Sequence, residues 1–144
     1  YQIMSLSKFN KIDLKTGAIF TSHLDGKKII LSPEKSIQVQ KSINSDIMMV
    51  LDECPKLTTD KKVLSKAIDV STSWASRCKV EFGMDKSKAL FAIAQGGLDK
   101  ELRIESIQKL IGNQLQKRCG LLLGYLTLDQ LLIKKMFPTS ELGF

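Results

Sequence analysis

Histidine is nearly missing from this chain: His23 is the only one in 144 residues. The cysteines, Cys54, Cys78 and Cys119, are three in number, far apart, and never in a C-x-x-C pair. These shortages argue against a disulfide framework and a closed zinc site, and they suit a reducing compartment. Long apolar runs are also scarce. The greasiest, LLLGYLTLDQLLI at 121–133, contains Asp129 and is too short to span a bilayer. No signal-peptide pattern is visible, so a cytoplasmic location without membrane contact is expected. G-x-G-x-x-G and P-loop patterns are both absent. The first residue is Tyr1 and not Met, which raises the expectation of a piece of a longer chain.

What is present reads as globular. Hydrophobic residues make up 43% and charged residues 26%, too apolar for a disordered chain. Basic residues outnumber acidic ones 22 to 15, a net charge of +7 that suits a phosphate-rich partner without requiring one.

Along the chain, AIFTSHLDGKKIILS (18–32) predicts a β-hairpin, with Asp25-Gly26 supplying the turn chemistry. SPEKSIQVQKSI (32–43) predicts a short helix: Ser32 as N-cap, Pro33 at the first helical position, and Glu34 at the positive end of the dipole. DIMMVL (46–51) is a continuous apolar run and predicts a strand covered on both faces. A long helix is expected over 59–82, capped by Thr58 or Thr59 and ended by Gly83. Its buried stripe would be Val63, Leu64, Ala67, Ile68, Ser71, Trp74, Ala75 and Cys78. Ala89–Ala94 predicts a second strand and 99–112 another helix, with Leu102, Ile107, Leu110 and Ile111 near one face. In the tail, GLLLGYL suggests a strand and TLDQLLIKKMF a short helix.

Strands that alternate with helices imply parallel pairing and right-handed crossovers. Both apolar runs stop in polar residues: Asp52-Glu53-Cys54 after the first, Gln95-Gly96-Gly97 after the second. In parallel α/β folds the carboxyl ends of the strands are where ligands bind. Asp52 and Gln95 would then share a rim. A carboxylate accepts from two donors and a carboxamide offers one donor and one acceptor face, which together match a guanine edge: N1–H and the exocyclic amine to Asp52, O6 to Gln95. The two glycines would let main chain approach closely. The plainer alternatives are that Asp52 caps the following segment and that Gln95 merely precedes a loop. Adjacent Glu53 would point away from Asp52, so a paired-carboxylate device is not expected. Cys54 reads as a small buried filler, since no histidine stands ready to activate it. His23 reads as exposed, Trp74 as core, and the clusters at 60–62 and 133–135 as solvated faces.

Five blocks, YQIMSLSKFNKI, SHLDGKKIILSPEKSIQVQ, SDIMMVLDECP, STSWASRC and ALFAIAQGGLDKELRIESI, stand in the order and spacing of the bacterial tRNA-guanine transglycosylases (queuine tRNA-ribosyltransferases). The chain resembles that family over about residues 1–111. The resemblance implies a partial, incomplete (β/α)8 TIM-type barrel with a β-hairpin insertion, followed by a diverged or frame-shifted tail at 112–144. It implies exchange of wobble guanine in tRNA for a 7-deazaguanine by double-displacement glycosyl transfer. Its partners would be tRNA, guanine or the 7-deazaguanine, and a second copy in a homodimer. Asp52 would bind the base edge, Gln95 its carbonyl oxygen, and Tyr1 would stack on the base as the aromatic of a D-[ST]-G-G-[FY]-Q motif.

Other family features have no match here. The aspartate of that motif would precede residue 1. The G-G-L-x-x-G-E loop, the strand with the nucleophilic aspartate, and the three cysteines and histidine that hold zinc are not found. A full barrel needs roughly 250 residues. No catalytic residue, metal ligand or cofactor is therefore assigned to this chain, and a partial barrel with open edges is expected to be marginally stable or prone to association. Two other readings stay open: an inactive relic that at most binds RNA or a partner, and an unrelated small α/β nucleotide-binding domain.

Overall fold

The computed structural model describes residues 10–56, 58–85, 87–112 and 119–123, with side chains for 11–56, 58–85 and 87–112. In chain order the elements are β1 (Asn10–Asp13), β2 (Gly17–Thr21), β3 (Lys28–Leu31), α1 (Pro33–Ser42), β4 (Ile47–Met49), α2 (Lys61–Phe82), β5 (Ala89–Ala94), α3 (Lys100–Gly112) and β6 (Cys119–Leu123). They form two three-stranded sheets, β1-β2-β3 antiparallel and β4-β5-β6 parallel.

The predicted hairpin is present as β2 and β3, with Ala18 opposite Leu31 and Thr21 opposite Lys28. Gly26, at φ +69°, donates to the Ser22 carbonyl across the connection, and Asp25 accepts the Lys27 amide. β1 is an addition. Only one of its four residues is β-branched, and pairing with β2 supplies what propensity does not. Asp13 closes the β1–β2 turn by accepting the Lys15 and Thr16 amides at 3.1 and 2.7 Å.

Helix starts follow the expected chemistry with one change. Ser32 caps α1 through the Lys35 amide, with Pro33 and Glu34 in the first turn. The cap of α2 is Asp60, not Thr58 or Thr59. Its carboxylate accepts the Lys62 amide at 2.8 Å, while Thr58 accepts the Asp60 amide. An aspartate competes well for that position because its charge also faces the helix dipole. Gly83 ends α2.

The stripe on α2 is buried as expected except for Val63, which is exposed in the first turn. Helices α1, α2 and α3 pack on one face of the parallel sheet. There Met48, Leu90, Ala92 and Ala94 meet Ile37, Ala75, Cys78, Phe82, Ile107 and Leu110. Cover on both faces, expected for 46–51, is not found among the described residues. Ile47 is 60% exposed, and Met49, Phe91 and Ile93 are half-buried. Side chains alternate along a strand, and the described helices lie on one side only. The outer margin of β4 is occupied. Met49 donates its N–H to the Gln40 side chain at 2.7 Å and accepts the Gln40 amide at 2.9 Å, so one carboxamide fills both main-chain positions.

The antiparallel sheet sits on α2 through Ala18, Val70 and Trp74, with Ile12 and Leu31 against them. Arg77 ties the two layers together. It bonds both Glu34 oxygens, at 2.6 and 2.8 Å, and donates to the Lys15 carbonyl at 2.6 Å. This pairing lowers the Glu34 pKa from 4.5 to about 2. A carboxylate with a depressed native pKa adds stability that is complete above its unfolded pKa and is lost as pH falls toward the native one. Glu34→Gln should therefore melt below the parent near neutral pH, and the gap should close between about pH 5 and about pH 2 in melting experiments. A gap that stays constant over that range would contradict the assignment.

Candidate functional site

Strands β4 and β5 are parallel neighbours, with Met49 aligned to Phe91, and Val50 extends the ladder by donating to the Phe91 carbonyl. Two residues beyond Val50 and four beyond Phe91, at the carboxyl ends, come Asp52 and Gln95. Equal strand direction and this register bring both to one rim. Gln95 Nε2 donates to Asp52 Oδ2 at 2.6 Å. The side chains singled out from the sequence are thus in direct contact.

Asp52 is half-buried and Gln95 is 8% exposed. Burial raises the Asp52 pKa above the ordinary carboxylate value, and the Gln95 hydrogen bond opposes that shift without cancelling it. The pair is therefore a partly dehydrated acceptor beside a planar amide. Such a surface gains from a ligand that brings its own donors.

Glu53 does not join Asp52 as a second carboxylate. Its main chain is held by Ser71 of α2, whose Oγ accepts the Glu53 N–H at 2.9 Å and donates to the Glu53 carbonyl at 3.4 Å. Burial raises the Glu53 pKa as well, and its Oε2 is buried without a hydrogen-bond partner among the described residues.

On the other strand the Gln95 N–H donates to Ser106 Oγ of α3 at 3.0 Å. Gly96, at φ +120°, does permit a close approach, but to the helix and not to open space. A Cβ there would meet the Arg103 amide nitrogen at 2.7 Å. Arg103 Nη1 in turn donates to the Gly97 carbonyl at 3.2 Å. Ser106 and Arg103, both buried, escaped the sequence reading. The available signal was their spacing: with Ile107 and Leu110 they complete the inner stripe of α3, so polar side chains there must point at main chain.

Cys54 is exposed, not the buried filler expected, because it lies past the end of β4 where the chain leaves the core. Cys78 is buried, and burial pushes its thiol up to about 11, which suits packing and not nucleophilic work. His23 is exposed and Trp74 is core, both as expected. Residues 60–62 are exposed, although Lys61 pairs with Asp99 at 2.9 Å. Tyr1, the 133–135 cluster and the helix expected from TLDQLLIKKMF lie outside the described residues. Among the described residues no group of histidine, cysteine and acidic side chains could hold a metal, and no helix is long and apolar enough to cross a membrane.

A model of the queuine tRNA-ribosyltransferase family matches residues 1–130. The chain belongs to that family. The queuine tRNA-ribosyltransferase of Jannaschia sp. (strain CCS1) is 46% identical over 110 residues, covering 76% of this chain and 29% of that protein. The one from Thermodesulfovibrio yellowstonii is 45% identical over 112 residues, again with 29% of its length covered. The chain thus spans under a third of the curated queuine tRNA-ribosyltransferases it matches. The family match takes in both rim residues and runs through β6 into the tail.

Proposed function

We propose that Asp52 and Gln95 form the base-reading edge of a tRNA-guanine exchange site. The observation that carries this reading is their 2.6 Å contact at the carboxyl rim of two adjacent parallel strands. Without a ligand the Gln95 amide donates to Asp52. A guanine-type base replaces that bond, presenting N1–H and its exocyclic amine to the carboxylate and freeing the Gln95 N–H for O6. Tyr1 stacks on the ring in this reading. Base exchange by double displacement also needs a nucleophilic aspartate and a zinc-bound subdomain, and the family reading assigns neither to a residue of this chain.

Residues 1–111 then form a segment of a (β/α)8 barrel with a hairpin insertion. The parallel pair β4 and β5, continued by β6 just beyond this segment, with every described helix on one face, supports this, as does the row of apolar side chains at Ile47, Met49, Phe91 and Ile93 on the other. A barrel interior is filled by side chains of that kind. The net charge of +7 supports tRNA as the second substrate. Homodimer pairing comes with the family reading alone.

The test is calorimetric titration of the chain with guanine and with adenine, alongside exchange of labelled guanine into a tRNA with guanine at the wobble position. Saturable guanine binding without adenine binding is expected, and label incorporation should stay at background. Absence of guanine binding would remove the proposal. Incorporation would show that this chain also carries the ribose chemistry.

A further inference from the structure

The two rim side chains share an arrangement that their strands do not explain. Each lies just past a parallel strand, where ladder hydrogen bonds run out and main chain would otherwise be loosely held. In both cases the main chain at or beside the rim residue is fastened by a buried serine from the helix that follows. Ser71 of α2, 3% exposed, takes the N–H of Glu53, next to Asp52, and returns a bond to the same residue's carbonyl. Ser106 of α3, 1% exposed, takes the N–H of Gln95 itself. Arg103, one turn earlier on α3, adds a donor to the Gly97 carbonyl.

We propose that Ser71 and Ser106 are positioning residues that set the height of Asp52 and Gln95 on the rim so that both meet one flat base edge. A base is rigid, so its donors and acceptors arrive at fixed spacing. Two strands that each ended freely would deliver the carboxylate and the amide at independent heights. Pinning each strand to its own helix makes their offset a property of the packed core, and a misplacement of about 1 Å in such a constellation costs on the order of a hundredfold. Serine suits this role because its hydroxyl accepts a main-chain N–H and its small size lets the helix approach the strand end closely. Alanine in its place would leave a buried N–H unpaired at Gln95, or a part-buried one at Glu53.

The inference rests on the base-reading role proposed above, and its test separates the two. Guanine, 6-thioguanine and hypoxanthine are titrated into the chain and its serine variants. 6-Thioguanine weakens the acceptor that faces Gln95; hypoxanthine lacks the amine that faces Asp52. Ser106→Ala should lower the preference for guanine over 6-thioguanine by about tenfold, and Ser71→Ala the preference for guanine over hypoxanthine by a similar factor. A serine that served only the fold would weaken all three bases alike.

Exchange of the Gln95 side-chain amide protons with water, followed by NMR without any base, should quicken in Ser106→Ala because the bond to Asp52 is no longer held in place. Ser106→Cys and Ser71→Cys keep the volume with a weaker acceptor and serve if the alanine variants unfold; intermediate effects are expected. Quickened amide exchange in a chain that binds no guanine would uphold the pinning and defeat the base-reading role. Unchanged preferences and unchanged amide exchange in folded variants would overturn the inference.

Discussion

Asp52→Asn is expected to weaken guanine binding by about a hundredfold or more, and to raise the melting temperature at the same time. The two effects have opposite signs because they come from different properties of one group. Guanine presents two donors side by side, N1–H and the exocyclic amine. A carboxylate answers with two acceptors; asparagine answers with one acceptor and an N–H₂ that faces a donor. A site built to satisfy hydrogen bonds loses most when one of its groups is left opposed.

Stability moves the other way because burial pushes the Asp52 pKa upward. A carboxyl group with a raised native pKa binds its proton more tightly folded than unfolded. Its contribution is therefore most favourable below the unfolded pKa, near 3.8, and is lost as pH rises through the higher native value. At neutral pH the ionised group weighs against the fold. Asparagine removes that charge and keeps an acceptor for the Gln95 amide. Calorimetric titration and scanning calorimetry at neutral and acid pH check both halves: the melting gain should shrink in acid. A variant that melts lower than the parent and binds guanine undiminished would refute the account.

Trp74→Ala should cost about 3–5 kcal/mol in urea unfolding, the range for emptying a buried aromatic site. The indole is 0% exposed and packs against Ala18 and Val70, where the antiparallel sheet meets α2. Its Nε1 donates to the Leu14 carbonyl at 3.0 Å, at the turn that joins β1 to β2. Truncation therefore removes the ring that seats one sheet and takes away a donor from the Leu14 carbonyl. Trp74→Phe keeps most of the ring volume and loses the bond, so about 1–2 kcal/mol is expected there. Domains of this kind are stable by only about 5–15 kcal/mol, so the alanine variant loses a large share of its margin against unfolding. A loss below about 1 kcal/mol would mean that the hairpin sheet is held by other contacts.

What could be read without coordinates followed local physics. Ser32, Pro33 and Glu34 mark a helix start because capping, ring geometry and dipole act within one turn, and α1 begins there. The run Ala89–Ala94 is a strand over those same residues. The rim pair was legible for a related reason: each apolar run stops at a polar residue, and parallel pairing turns two such stops into one edge.

The misses are nonlocal. β1 owes its strand character to β2, not to its own four residues. The exposed Ile47 looks core-like in sequence, but the described helices all pack on the opposite face of its strand. Residue type makes Cys54 look like a filler, whereas its position past the strand end decides its exposure. The serine bonds cross 18 and 11 residues of chain, a separation at which no spacing rule operates.

Gln40 adds a consequence for how this sheet can grow. Because its carboxamide satisfies both main-chain groups of Met49, a neighbouring stave laid along β4 finds its ladder interrupted at that height. A strand added along that margin can pair past Met49 only by displacing the Gln40 side chain. The same clip denies fibre-like stacking of one molecule's margin on another's an unbroken row of partners.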